Sequence, residues 1–217
     1  MEGPVPKSFL TIAGRPLVLR VLDRFFSARS IGKVILVVAA KEMQRSLALM
    51  QSDFHLSHRA WTLQAGGTTR QKSVRRGLEK LDPDCEIVVI HDAARPLVSA
   101  SLIDRCVDEA CRVDAVVVGV PVRNTIKVVS EDHWVQATPA RNSLWEIQTP
   151  QVFRKELIVQ AHDRALRRAL DATDDAALVE QMGKPVLVVP GETTNIKITT
   201  PEDILLAEAL LREGWAS

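Results

Sequence analysis

The chain has 217 residues, 46% of them apolar and 25% charged, with 28 basic against 27 acidic side chains and a net charge of +1. One domain of ordinary size is expected at that length, and the near-neutral balance excludes a protein living mainly on nucleic acid or anionic lipid. No apolar run approaches the roughly 18–20 residues of a bilayer span and no leader pattern is readable at the N-terminus, so a soluble, cytoplasmic product is expected.

In chain order, Pro16 suits the first turn of a helix, with Leu17, Val21, Leu22 and Phe25 at helical spacing behind it. Val34 to Val38 reads as a buried strand, Lys41 to about Met50 as a polar helix, and Ala60 to Gln64 as a strand. Gly66-Gly67 forms a loop, Gln71 to Leu81 a helix stopped by Asp82-Pro83, and Glu86 to Ile90 a β-branched strand. Ser99 offers an N-cap for a helix through Leu102, Val107 and Cys111, and Ala115 to Val120 is the next strand. Ile126 to Val129 and Trp134-Val135, joined by Glu131-Asp132, read as a hairpin inserted between residues 122 and 151. Helices over Lys155–Leu170 and Asp174–Met182, a strand over Val186–Val189, and a helix from Pro201 capped by Thr200 complete the order. Apolar strands alternating with helices predict an α/β domain: a Rossmann-like, mainly parallel sheet with helices on both faces. Cys85, Cys106 and Cys111 are odd in number and unpatterned, as expected of reduced thiols.

Ligands of such sheets sit at the carboxyl ends of the strands, so the loops there carry the candidate residues. Gly66-Gly67-Thr68-Thr69-Arg70-Gln71-Lys72-Ser73 combines glycines, hydroxyls, two cations and a helix start. It is either a ligand loop or a tight turn with a solvated basic face, and it matches neither the dinucleotide fingerprint nor the P-loop. His91-Asp92-Ala93-Ala94-Arg95-Pro96 ends a strand with an acid and a base flanking small residues. Asp92 suits a sugar hydroxyl or hydrated metal, Arg95 a phosphate, and Ala93 and Ala94 leave room for a ligand; the bland alternative is a local ion pair. His91 reads as structural, and none of the other histidines has metal-ligand spacing. Val122 to Lys127, Ala140 to Gln151, and Asn195 to Thr199 with Thr173-Asp174-Asp175 before it are individually weak signals.

Taken together, GGTTRQKSV, HDAARP, PVRNTIK, R-x-x-L-W-x-x-QTPQ-x-F, TDDA and NIKIT-x-P-E-D resemble the landmarks of 2-C-methyl-D-erythritol 4-phosphate cytidylyltransferase. That family belongs to the non-mevalonate route to isoprenoids. The resemblance spans nearly the whole chain, and ribitol-5-phosphate cytidylyltransferase shares much of the same framework. It implies transfer of CMP from Mg²⁺-bound CTP to a polyol phosphate with release of pyrophosphate. Carried over, Lys7 and Lys197 match catalytic cations, and Gly66, Gly67, Ser73 and Ala93 match nucleotide-binding positions. Asp92 and Arg95 match substrate and nucleotide contacts, while Thr125, Arg141 and Thr149 match groups that hold methylerythritol phosphate. Mg²⁺ is held mainly by the CTP phosphates, with no protein metal ligand assigned. The 122–151 hairpin matches an arm that interlocks two subunits of a homodimer, with Thr125 and Arg141 serving the partner's site.

The pattern is broken at its start. The family opens with a strand and a loop of the form L-A-A-G-x-G-x-R-M-G-x-x-x-P-K. Counting back from Pro6-Lys7 puts Met1 on the methionine and Glu2 where glycine is usual. The resemblance therefore implies a single domain over residues 1–217 without that strand, phosphate loop or arginine, and little turnover from these residues alone. An in-frame L-A-A-G-x-G-x-R ahead of the Met1 codon would indicate an enzyme with a misplaced start. A stop codon there would indicate a shortened, non-catalytic nucleotide-binding homologue.

Overall fold

The computed structural model describes residues 9–56 and 58–215. A small ribbon, β1 (Thr11–Ile12) against β2 (Arg15–Pro16), turns through Ala13 and Gly14, both at positive φ. Helix α1 (Leu17–Ser27) comes directly after it, with Pro16 one residue ahead of its first turn. Strand β3 (Val34–Val38) pairs in parallel with β4 (Trp61–Ala65), connected through α2 (Met43–Ser52). Then come α3 (Arg70–Leu78), β5 (Ile87–Ile90), α4 (Ala100–Val113) and β6 (Ala115–Pro121). Ser99 caps α4 as expected, its hydroxyl accepting the Leu102 N–H at 3.1 Å.

The hairpin is present as β7 (Val128–Val129) against β8 (Val135–Ala137), forming a sheet of its own. The chain leaving the hairpin joins the larger sheet. Residues 145–154, of which the sequence reading places those up to Gln151 on the hairpin's return, form the longest described strand, β9 (Trp145–Arg154). Pro150 hides it, because proline has no N–H for a ladder and demotes a run of residues as a strand. Here it sits at a bulge: β6 pairs Val117 with Gln151 and then Val118 with Gln148, so Thr149 and Pro150 are looped out of register. Helices α5 (Lys155–Arg168) and α6 (Asp175–Glu180), strand β10 (Leu187–Pro190) and helix α7 (Pro201–Arg212) complete the chain. The α7 start is closed by Asp203, whose Oδ2 accepts the Thr199 and Thr200 amides at 2.7 and 2.8 Å.

The larger sheet has the order β10-β6-β9-β5, and β3–β4 forms a separate parallel pair. Because β9 runs antiparallel to both β5 and β6, those two share a direction, which β10 also takes. Side chains alternate to two apolar layers, as the pleat requires. Val116 and Val118 pack with Phe25 of α1 and Leu102, Ile103 and Cys106 of α4. Ala115 and Val117 pack with Ile158 and Ala161 of α5 and Leu178 and Val179 of α6. Among the described residues no helix is long and apolar enough to cross a membrane.

Candidate active site

Three segments meet at one edge of the larger sheet, and all three hang from β9. Thr149 is 5% exposed; its Oγ1 accepts the Asp92 amide at 3.1 Å and lies 3.0 Å from His91 Nδ1, so it holds the loop after β5. Asn195, fully buried, donates from Nδ2 to Gln148 Oε1 (3.1 Å) and to the Thr149 carbonyl (2.8 Å), which fixes the segment leading to Lys197. Gln151 accepts the amides of Asp175 and Ala176 at 3.1 and 3.2 Å and donates to Asp174 Oδ2 at 2.7 Å, which fixes the start of α6. These links rigidify the junction, while the buried Asn195 Oδ1 is left without a hydrogen-bond partner.

The charges converge on Asp92. Arg70 Nε donates to its Oδ1 at 3.0 Å and Lys197 Nζ to its Oδ2 at 2.7 Å. Burial pushes the Asp92 carboxyl up, but the hydrogen bonds and charges of Lys197 and Arg70 outweigh it and hold its pKa at about 2. Arg70 also donates from Nη1 to Asp175 Oδ2 at 2.6 Å, and the other Asp175 oxygen lies 3.0 Å from His162 Nε2. Burial disfavours the Arg70 charge, yet Asp175 and Asp92 together raise its pKa above the ordinary value. The result is a line of alternating groups, His162–Asp175–Arg70–Asp92–Lys197, wet at the lysine and dry at the histidine. Arg70 and Asp175 link the segments of this network; the sequence names them only within the glycine-rich loop and the TDDA motif, without placing either beside Asp92.

The remaining predicted residues fall in three groups. Gly66, Gly67 and Ser73 close the loop on itself: Ser73 Oγ accepts the Gly67 amide at 3.1 Å, and Arg76 Nη1 donates to the Gly66 carbonyl. A Cβ on Gly67 would lie 2.4 Å from Lys72 Cβ, and one on Gly66 2.8 Å from Ser73 Oγ, so small residues are needed where the loop presses on α3. Ala93 lies beside Asp92, and Arg95 Nη1 donates to the Asn195 carbonyl at 2.8 Å beneath the Lys197 segment. That segment joins no strand; the Ile198 amide bonds to the Ala94 carbonyl at 2.8 Å. His91 is a latch, its Nε2 3.0 Å from the Arg95 carbonyl and its ring 5.2 Å from that of Phe25; burial lowers its pKa to about 4.

Thr125 and Arg141 are not brought to Asp92: both are exposed on the arm, where Arg141 Nη1 donates to the Arg123 carbonyl at 2.8 Å. Lys7 lies outside the described residues. No cluster of three or more His, Cys, Asp or Glu able to hold a metal occurs among the described residues, and both Asp92 oxygens are engaged by cations.

An α/β layer structure with cations and a carboxylate gathered at the ends of its strands is a Rossmann-like domain of the nucleotidyltransferase kind. The sequence profile of the 2-C-methyl-D-erythritol 4-phosphate cytidylyltransferases matches residues 1–213. A protein of that name from Caldanaerobacter subterraneus is 44% identical over 213 residues, spanning 98% of this chain and 93% of its own. One from Desulforamulus reducens is 43% identical, with 98% and 90% covered. The crystal structure of the enzyme of that name from Thermus thermophilus matches with a TM-score of 0.80 at 36% identity, covering 95% of this chain and 94% of its own. That of the Anaerococcus prevotii 4-diphosphocytidyl-2C-methyl-D-erythritol synthase gives 0.85 at 33%, with 93% and 88% covered. The chain belongs to the 2-C-methyl-D-erythritol 4-phosphate cytidylyltransferase family.

Proposed function

We propose that this site transfers CMP from CTP to 2-C-methyl-D-erythritol 4-phosphate, yielding CDP-methylerythritol and pyrophosphate, in a cytoplasmic homodimer of single-domain subunits. The observation carrying the reading is Lys197, held at 2.7 Å by Asp92 on a frame shared with Arg70. An ammonium has three donors; the bond to Asp92 uses one, leaving two for phosphate oxygens. A substrate phosphate oxygen attacks the α-phosphorus in line, the bond to the β-phosphate breaks, and pyrophosphate leaves with the electron pair. Lys197 and Lys7 offset the negative charge of that transition state, and no covalent enzyme intermediate forms. Arg95 supports the Lys197 segment, and Gly66, Gly67, Ser73 and Ala93 border the nucleotide. Mg²⁺ enters as part of the substrate, held mainly by the CTP phosphates. Thr125 and Arg141 serve the partner's site through the 122–151 arm. Its exposed Val129 (50%), Trp134 (77%) and Val135 (59%) support an interface there.

The test uses stoichiometric protein with CTP, Mg²⁺ and either methylerythritol phosphate or ribitol 5-phosphate, with product measured by mass spectrometry. Slow formation of CDP-methylerythritol, at least tenfold ahead of CDP-ribitol and lost in Lys197→Ala, is expected. Preference for ribitol phosphate, or no dependence on Lys197, would overturn the assignment.

A further inference from the structure

Asp92 is shared by two cations, each on one oxygen. Arg70 reaches Oδ1 through Nε alone, at 3.0 Å, and Lys197 holds Oδ2 at 2.7 Å. A guanidinium beside a carboxylate frequently closes on both oxygens, because two of its N–H groups point the same way and match the spacing of the acceptors. That arrangement occurs elsewhere in this molecule. Arg15 donates from Nε and Nη2 to the two oxygens of Asp23, at 2.5 and 2.7 Å, while its Nη1 reaches a second carboxylate, Asp53, at 2.9 Å. Arg70 has the same connections less one. Its Nη1 is on a second carboxylate, Asp175, at 2.6 Å, and its Nε is on Asp92, but Nη2 makes no hydrogen bond among the described residues. The acceptor of the missing bond is the oxygen that Lys197 occupies.

The members of this group are held unequally. Arg70 is the first residue of α3, and the buried Asp175 anchors its Nη1 from the start of α6. The Asp92 amide is fixed by the Thr149 hydroxyl. Lys197 lies on a segment that joins no strand, and its side chain is 44% exposed, so it is the member able to turn outward. Turning alone, it would leave unpaired one oxygen of a carboxylate whose side chain is only 16% exposed, which is unfavourable for a buried charge. Arg95, the other cation of the loop, is committed to the Asn195 carbonyl.

We infer that Arg70 is a positioning residue that takes Asp92 over from Lys197: as Lys197 commits to a substrate phosphate, Nη2 closes on the vacated Oδ2 and the guanidinium forks the carboxylate. The inference rests on the CMP-transfer reading, which supplies the phosphate, and goes beyond it in giving Arg70 a role. One N–H···O bond to Oδ2 breaks and another forms, so Asp92 stays paired throughout. Lys197 gains its third donor for phosphate oxygens. The backbones on both sides stay where they are, and Arg15 with Asp23 and Asp53 shows the end state to be one that an arginine between two carboxylates adopts in this fold. A lysine at position 70 cannot make the exchange, because its ammonium is a point charge without a fork.

Lys197→Ala vacates Oδ2 without any ligand and so tests the hand-over directly. The readout is water exchange of the Arg70 Nη2 protons, followed by NMR on arginine-labelled protein in cold, mildly acidic buffer, with Arg70→Lys assigning the signals. Asp92, with its pKa at about 2, is ionised there. Exchange is expected to be at least tenfold slower in Lys197→Ala than in the unsubstituted protein. It should not slow in Lys197→Ala/Asp92→Asn, whose amide offers one acceptor oxygen. Loosening of a merely structural contact moves exchange the other way. Equal or faster exchange in Lys197→Ala, or slowing in the Asn control, would overturn the hand-over. The second measurement is single-turnover CMP transfer by Arg70→Lys, expected to be at least tenfold slower than the unsubstituted protein; a rate within twofold would overturn the positioning role. Absence of product from the unsubstituted protein would count against the CMP-transfer reading, and the exchange measurement would still decide whether Arg70 takes Oδ2.

Discussion

Removing the Asp175 carboxylate tests whether the line of charges behind Lys197 is a structural necessity. Asp175 is 1% exposed, accepts Arg70 Nη1 at 2.6 Å and faces His162 Nε2 at 3.0 Å. His162 is 2% exposed and its Nδ1 already has no protein partner, so Asp175→Ala strands both ring nitrogens. Breaking a buried ionic contact by deleting one partner costs about 3–5 kcal/mol. Arg70 retains Asp92 and its side chain is 35% exposed, which places the expected loss near the lower end, about 3 kcal/mol. For a domain of this size that is a fall of roughly 6–12 °C in Tm. Asp175→Asn keeps one carbonyl oxygen for Arg70 or His162 and should lose about half as much. Urea unfolding of the three proteins, followed by tryptophan fluorescence and by circular dichroism, gives the differences. An Asp175→Ala loss under about 1 kcal/mol would show that the network is surface decoration and refute the reasoning.

Four further outcomes are expected. His91 is held neutral in the fold with its pKa lowered from 6.5 to about 4, so the unfolded chain takes the proton first on acidification. The His91 contribution is whole above pH 6.5, drops by about 2 kcal/mol between pH 7 and 5, and is spent as pH falls through about 4; His91→Gln should flatten that slope in unfolding titrations. The Asp92 contribution behaves likewise at lower pH, present above about 4 and lost toward about 2, and Asp92→Asn should remove it. Lys197→Ala, at a side chain 44% exposed, should change stability by less than about 1 kcal/mol while lowering CMP transfer about 10²–10³-fold in kcat. For the proposed homodimer, wild-type protein should sediment as a dimer and Trp134→Lys should shift it toward monomer; a monomeric wild type, or an unchanged dimer in the variant, would remove the arm from the interface.

Much of the architecture is legible in the sequence because its signals are local. The apolar run Val34–Val38, the Ser99 cap and the Thr200-Pro201 helix start act through neighbours within a few residues, and each lies within two residues of its expected place. Strand β9 is not legible, since Pro150 and the polar Gln148, Thr149 and Gln151 argue against a central strand in any local window. Those polar groups are buried because their partners come from 23 to 58 positions away, a relation no spacing rule expresses.

The site divides along the same line. The motifs containing Asp92, Arg95 and Lys197 identify the family from residue types in order, while loop chemistry leaves Gly66, Gly67 and Ser73 as either a ligand loop or a tight turn. Only the tertiary structure joins Arg70 to Asp175, makes His91 and Thr149 a latch, and leaves the arm residues Thr125 and Arg141 away from Asp92. Patterning along a chain records which residues turn inward. Which inward-turned polar groups find one another depends on strand order and register, set by packing across the whole sheet.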